Sequence, residues 1–404
     1  MTINVTTNLP GVTRHPRLIL QPRAQRRLQS GYPWIFSNEV KMEPATKALP
    51  PGSVVTVTDA GGELLATAHF TPRTLISARV LAHYADAVID LEFVQTKLAA
   101  ALALRDRLYA RSFYRLIHAE ADGLPGLVVD RFGDVFVLQP NTAGMDGLVP
   151  TLVEALVRLT NPRAIIVRGD TPARGLEGLE QDVRLVHGAL EGDVPVEENG
   201  ATFFCDLTSG QKTGWFFDQR DNRAFMASVS KGASALDLYT HTGGFAIASA
   251  QGGATSVTAV DRSAHSLELA AKAAKVNGVA CTFEKAEVFP FLENAVREKK
   301  SWQVVVADPP AFVKSKKDLK VGLQGYRKLA RLCGEVITRD GILLIASCSH
   351  NAPLDEFTAA VARGLSDAGK SGKLIRTAGA GPDHPVHPLL PESAYLKALV
   401  FHLD

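Results

Sequence analysis

Four short stretches near the C-terminal end of the chain come in an order that few folds produce. They are Leu236-Asp-Leu-Tyr-Thr-His-Thr-Gly-Gly-Phe245, Val260-Asp261, Asp308-Pro-Pro310 and Ser347-Cys-Ser349. Each follows a short apolar run with strand character: Ala233 to Leu238, Ser256 to Val260, Val304 to Ala307 and Ile342 to Ala346. From Ala201 onward such runs alternate with helical patterns, as a doubly wound parallel sheet requires. In an open sheet of that kind the chemistry sits just beyond the carboxyl ends of the strands. A glycine turn, two acids and a cysteine are therefore expected at one rim.

The chain of 404 residues exceeds one ordinary core, so two or three domains are expected. Its 46% apolar and 21% charged residues are those of a globular protein, and no run reaches the roughly 18 apolar residues of a membrane span. Met1 to Thr13 is polar, carries no export signal and reads as a loose leader. Cys205, Cys281, Cys333 and Cys348 lack the close spacing of a zinc or redox pair. A reducing cytoplasm without disulfides is the expectation. Charge is distributed unevenly. Arg14 to Lys41 holds six Lys or Arg against Glu39 alone, and Val313 to Arg331 holds seven against Asp318 alone. Such clusters suit a polyanion, although either one alone could equally be a solvated face.

Ahead of the alternating region, Ser53 to Thr58, Leu64 to Phe70 and Leu75 to Leu81 read as strands of a small barrel-like β domain, with a hairpin at Asp59-Ala-Gly-Gly62. A helix is expected over Ala87 to Ser112. A mixed section follows, with a hairpin across Arg131-Phe-Gly-Asp134 and a helix over Leu148 to Leu159. Glu191 to Gly200, acidic and turn-rich, is the expected boundary.

The first strand–helix turn must let backbone approach a ligand, which Gly243 and Gly244 permit. Asp237 can hold an ammonium, Asp261 can accept two ribose hydroxyls, and Glu287 can reach an adenine amine; Tyr239 lies in the same turn. This set suits S-adenosylmethionine. A nicotinamide dinucleotide fits less well, because Gly243-Gly-Phe-Ala-Ile-Ala248 lacks the G-x-G-x-x-G fingerprint.

Asp308-Pro309-Pro310 can present carbonyls to a base amine, and Phe312 follows either as a stacking ring or as a core residue. Cys348 fits a different chemistry. A thiolate adding to carbon 6 of a pyrimidine makes carbon 5 able to attack a methyl group, with Asp308 on the base edge. His350 is a candidate base. Cys205, Cys281 and Cys333 read as small buried hydrophobes.

Several longer segments resemble the PUA-domain-containing large-subunit ribosomal RNA (cytosine-5) methyltransferases, a class I S-adenosylmethionine-dependent family. They are Gly31-Tyr-Pro-Trp-Ile-Phe36, Ala121-Asp-Gly-Leu-Pro-Gly-Leu-Val-Val-Asp-Arg131, Gly210-Gln-Lys-Thr-Gly-Trp-Phe-Phe-Asp-Gln-Arg-Asp-Asn-Arg223, Asp308-Pro-Pro-Ala-Phe-Val-Lys-Ser-Lys-Lys317 and Ser347-Cys-Ser-His350. The resemblance implies a leader over 1–15, a PUA-like RNA-binding domain over 16–85, a central α+β domain over 86–195 and a Rossmann-like methyltransferase domain over 196–404. It implies donor contacts from Phe217, Gln219 and Arg220, with Asp308 at both donor and base. RNA contacts are expected from Arg26, Arg27, Lys314, Lys316 and Lys317. The partner would be large-subunit ribosomal RNA, with no membrane; a homodimer is compatible with the sequence. The chain departs from the broader 5-methylcytosine RNA enzymes at Pro310, where they carry a second cysteine, and at His350-Asn351, where the best-known members have glycine. Methylation of an exocyclic nitrogen, and a non-catalytic ribosome assembly factor, are the rival readings.

Overall fold

Alternation of apolar and polar residues builds the first sheet. The computed structural model describes residues 13–208, 210 and 213–404. Most of the expected leader lies outside the described residues, as do Gln211 and Lys212 of the loop that opens at Gly210. Strands β1 (Arg17–Ile19), β2 (Trp34–Phe36), β3 (Ser53–Thr58), β4 (Leu64–Phe70) and β5 (Ile76–Ala82) pair in the order β1-β3-β4-β5-β2. A bridge between Leu20 and Val40 links the segments that follow β1 and precede the Pro44–Lys47 helix, curling the sheet toward a barrel. Leu18, Val55, Val57, Ala66, Ala68, Phe70 and Ala78 are fully buried inside it.

A second five-stranded sheet joins β6 (Phe113–His118), β7 (Leu127–Phe132), β8 (Val135–Pro140), β9 (Ala164–Arg168) and β10 (Val183–Gly188) in the order β10-β9-β8-β7-β6. The helices Leu91–Leu108 and Val149–Thr160 bury Val94, Leu98, Leu152 and Leu156 in its core, each helix's pair four residues apart. Both sheets belong to one compact unit, which ends at Leu190 and also takes His387–Leu390.

The other unit comprises Glu191–Val386 and Pro391–Asp404. Its first element, β11 (Val194–Glu198), lies within the stretch expected to be turns, and it pairs with β12 (Ala201–Cys205). Val194, Val196 and Glu198 alternate inward there, and the acidic composition hid that period. Then come β13 (Ser234–Leu238), β14 (Ser256–Asp261), β15 (Thr282–Lys285), β16 (Trp302–Ala307), β17 (Ile337–Ser347), β18 (Gly372–Ala378) and β19 (Lys397–Leu403). They form one sheet in the order β15-β14-β13-β16-β17-β19-β18. The pairings from β15 through β17 are all parallel, and β19 is inserted antiparallel between β17 and β18. Strand order reverses between β13 and β16, which opens the crevice where doubly wound sheets bind ligands.

Both faces of this sheet are covered. Leu236, Leu238, Val305, Leu343 and Ile345 pack with Tyr326, Leu329, Cys333 and Val336 of the Leu319–Val336 helix. Ala235, Ala259, Val304, Val306 and Leu344 pack with Met226, Phe245 and Ala246 on the other side. Among the described residues no helix is long and apolar enough to cross a membrane.

Candidate active site

The turn after β13 is built around Asp237. Its Oδ2 accepts from the Thr240 hydroxyl at 2.5 Å and the Ala246 amide at 2.8 Å, pulling the start of the Gly244–Gln251 helix onto the strand end. The backbone between is unusual. Tyr239, His241 and Gly243 have φ of 63°, 52° and 86°, all left-handed, a conformation that costs a side-chain-bearing residue energy and that concentrates at functional sites. Asp237 is 3% exposed, and among the described residues nothing bonds its Oδ1. Burial pushes its carboxyl up to about 7; the Thr240 and Ala246 bonds oppose the shift and nearby Asp308 adds to it. A buried acceptor left open in this way fits a cationic ligand group such as the ammonium of S-adenosylmethionine.

Gly243 and Gly244 are required by packing. A Cβ on Gly244 would lie 2.6 Å from Arg223 Nε, and one on Gly243 would lie 3.0 Å from the Ala270 Cβ. Protein side chains therefore crowd this turn on the side where a Cβ would stand. Arg223 in turn bonds Glu198 at 2.6 Å and the Phe216 carbonyl at 2.9 Å. Glu198 also accepts from Trp215 at 3.0 Å and Arg220 at 3.4 Å. Phe217 and Gln219 are almost wholly buried beside this cluster, Gln219 accepts from Asn222, and Arg220 lies over the Phe217 ring. These loop residues therefore brace the glycine turn through Arg223. The sequence reading missed Glu198 and Arg223; an acid buried on an alternating strand is the signal that would have found them.

Asp261 ends β14 and ties the two strand ends together. Its Oδ2 accepts from the His241 amide at 3.0 Å and its Oδ1 from the Ser263 amide at 2.8 Å. Each carboxylate oxygen keeps a further lone pair for a diol. Glu287, exposed at the start of the Val288–Arg297 helix, lies close enough to Tyr239 to help raise its phenol above the ordinary range, burial being the larger cause.

Asp308 and Cys348 follow the adjacent parallel strands β16 and β17, whose ends are in register at Ala307 and Ile345. The turn at Cys348 is held by hydroxyls. Ser347 donates to Tyr326 at 2.8 Å, Tyr326 and Ser349 share a bond at 2.9 Å, and Ser349 Oγ accepts from the Val313 amide at 3.2 Å. Both serines are buried, and Cys348 between them is partly exposed. Burial pushes Cys333 up to about 12 and Cys281 up to about 11, and Cys205 is fully buried. Phe312 lies half-buried with its ring 4.7 Å from that of Tyr326, which favours its reading as a core residue. His350 contacts the Tyr395 ring at 5.2 Å. The Tyr326 hydroxyl, which needs partners once buried, was the missed signal at this turn.

Lys314, Lys316 and Lys317 are exposed around the turn Lys316–Asp318, just ahead of the Leu319–Val336 helix. Arg26 and Arg27 are exposed in the first unit; Arg27 pairs with Glu39 at 3.0 Å and lies over the Tyr32 ring.

A PUA-like domain family matches residues 18–83, and an S-adenosylmethionine-dependent methyltransferase family matches residues 184–402. The ribosomal RNA large subunit methyltransferase I of Cronobacter sakazakii is 34% identical over 398 residues, covering 96% of this chain and 99% of that protein. That of Erwinia tasmaniensis is 35% identical over 393 residues, covering 94% and 98%. A solved Streptococcus mutans structure described as a SAM-dependent methyltransferase shares the fold, with a TM-score of 0.80 at 19% identity over 96% of this chain and 100% of its own. Another, a methyltransferase complexed with SAH, gives 0.82 at 19% identity with the same coverage. S-adenosylmethionine is thus the cofactor, and the chain belongs to the S-adenosylmethionine-dependent methyltransferases, in the family of the ribosomal RNA large subunit methyltransferase I proteins.

Proposed function

We infer that this protein methylates carbon 5 of a cytosine in large-subunit ribosomal RNA, through a covalent adduct at Cys348. The observation that carries the reading is the pairing of Asp308 and Cys348 beyond neighbouring parallel strands, with the buried acid of the donor turn beside them. The name carried by the relatives supports the RNA substrate and, with it, a cytoplasmic location. Asp237 would take the donor's ammonium and Asp261 its ribose; Tyr239 and Glu287 would flank the adenine.

The Cys348 thiolate adds to carbon 6 of the base, and the ring electrons move to carbon 5. Asp308 holds the base at its N3 and amine edge, stabilising the altered ring. S-adenosylmethionine supplies the electrophilic methyl group that carbon 5 accepts. A base then takes the carbon-5 proton, the electron pair returns to the ring, and the Cys348 sulfur leaves as thiolate. Since Pro310 stands where related enzymes carry a second cysteine, proton removal falls to another group. A paired target base must leave its stack to reach Cys348.

RNA carrying 5-fluorocytosine at the target tests this directly. Fluorine cannot depart as a proton does, so the protein should be trapped on the RNA, and the trapped peptide should contain Cys348. A Cys348→Ala protein that still methylates RNA fully, with no adduct in the wild type, would overturn the reading and point to an exocyclic nitrogen. Donor binding with no transfer to any ribosomal RNA would point instead to an assembly factor. RNA grip is tested separately. Neutralising Lys314, Lys316 and Lys317 together should reduce the slope of log affinity against log salt by up to about 2, because each phosphate contact releases counterion. An unchanged slope would leave these lysines as a solvated loop.

A further inference from the structure

A lysine stands on the far side of the nucleophile's turn. Strand β19 opens at Lys397, which is paired in register with Ser347, the last residue of β17. The Lys397 side chain does not run out to solvent. It is half-buried, and its Nζ donates to the Ser349 carbonyl at 2.8 Å. Its two partners therefore bracket Cys348: one backbone neighbour through the ladder, the other through the ammonium. Tyr326 holds the same two residues by their hydroxyls from the Leu319–Val336 helix. Most of β19 is apolar and buried, namely Ala398, Leu399, Val400, Phe401 and Leu403, with His402 the only other polar residue, so a lysine at its head needs an explanation.

We propose that Lys397 is the positioning residue of the Cys348 nucleophile, clamping its turn through the Ser349 carbonyl and supplying the positive charge that keeps the sulfur as thiolate. This rests on the reading of Cys348 as the attacking group. The thiol gives its proton to bulk water and Lys397 keeps its own, so the lysine acts as a fixed charge and not as a base. Burial draws the Lys397 ammonium below its ordinary value and Cys348 pushes it back up, which marks the two as electrostatic neighbours. The other titratable groups on elements around the turn are the Tyr326 phenol, Asp308 beyond β16, and His350 with Tyr395 and Glu392. Tyr326 is raised by burial, its neighbour Cys348 adds to the rise, and it stays neutral at working pH. A thiolate beside a lysine titrates below the about 8.5 of a free thiol, and this is how reactive cysteines are prepared.

Alkylation by iodoacetamide reads the charge without needing RNA or turnover. The full-length protein is reacted across pH 6 to 10 and the Cys348 peptide is followed by mass spectrometry. Wild type should react with a midpoint below about 8.5. Lys397→Gln, which can still donate to the Ser349 carbonyl but carries no charge, should move the midpoint up by about one unit, making Cys348 roughly tenfold slower to react at pH 7. Lys397→Arg should restore most of the shift. A wild-type midpoint at or above that of a free thiol overturns the proposal even if every variant fails to fold. So does a Lys397→Gln midpoint equal to that of wild type. Failure of the fluorocytosine trap with an intact midpoint shift would count against the cytosine reading alone.

Discussion

Two turns at the carboxyl end of one sheet are held in opposite ways. The turn after β13 is organised around a charge: Asp237 is buried, gives one oxygen to the loop and leaves the other without a partner among the described residues. In the turn after β17 the side chains that bond one another are neutral hydroxyls, and the one charge, the Lys397 ammonium, is met by the Ser349 carbonyl. Ser347, Ser349 and Tyr326 satisfy one another, and the residue that matters, Cys348, is the one left partly exposed among them. The first arrangement stores an unmet electrostatic demand that a cation can fill. The second stores none; it fixes a backbone and lets one side chain project. A cofactor that must be gripped and released suits the former, and a nucleophile that must meet a flipped base suits the latter.

The comparison breaks most visibly at Cys348. If the second turn exists to present sulfur, Cys348→Ala should lower methyl transfer by more than about 10⁴-fold, beyond what acid–base assistance could offset, and leave the affinity for S-adenosylhomocysteine unchanged by calorimetry. Loss of binding as well would mean that the two turns are one structural device.

Next in size is the pH dependence of the donor turn. The Asp237 carboxyl titrates near 7 in the donor-free protein because burial favours its neutral form. An ammonium at Oδ1 needs the carboxylate, so binding must expel the proton at lower pH. Donor affinity should therefore fall as pH drops through 7, by about 50-fold at pH 5. It should fall again above about 8, where an α-amino group loses its own proton. Asp237→Asn should flatten the acidic limb. The sign for stability is the reverse: a carboxyl raised from 3.8 to about 7 costs the donor-free fold stability as pH climbs between those values. A pH-independent affinity between 5 and 7 would assign Asp237 to bracing the loop alone.

The smallest effect sharpens the second half. Tyr326→Phe removes the hydroxyl shared by both serines but keeps the ring against Phe312 and Phe357. A loss of about 1–3 kcal/mol by denaturant unfolding is expected, since two buried hydroxyls lose a partner. Turnover should fall about tenfold with little change in donor affinity, because the turn loosens without losing its nucleophile. Reduced donor affinity would show that Tyr326 serves the first turn as well.

Much of this was legible in the chain itself. Asp237, Asp261, Asp308 and Cys348 each stand at or just past an apolar run, and strand ends are where a parallel sheet gathers its chemistry. The hidden part lay in residues whose role depends on partners far along the chain. Lys397 meets Ser349 across 48 positions, and Trp215, Arg220 and Arg223 converge on Glu198 from 17 to 25 positions away. Neither periodicity nor spacing encodes such pairings. Gly244 shows the same limit: that a glycine needs room is visible in sequence, but Arg223, which a side chain there would meet, is not.

The left-handed backbone at Tyr239 and His241 has a consequence for anyone who would improve this protein. Each side-chain-bearing residue in that region costs roughly 1–3 kcal/mol, and the surrounding fold offsets it. Glycine at His241 would relieve that strain while giving the loop alternative shapes, whereas at Tyr239 it would also strip a ring from the core. Donor recognition would then have to freeze out those shapes at every cycle. The turn is thus a place where thermal robustness and catalytic economy pull apart, and where a consensus-minded or stability-guided redesign would trade away the property that makes the loop useful.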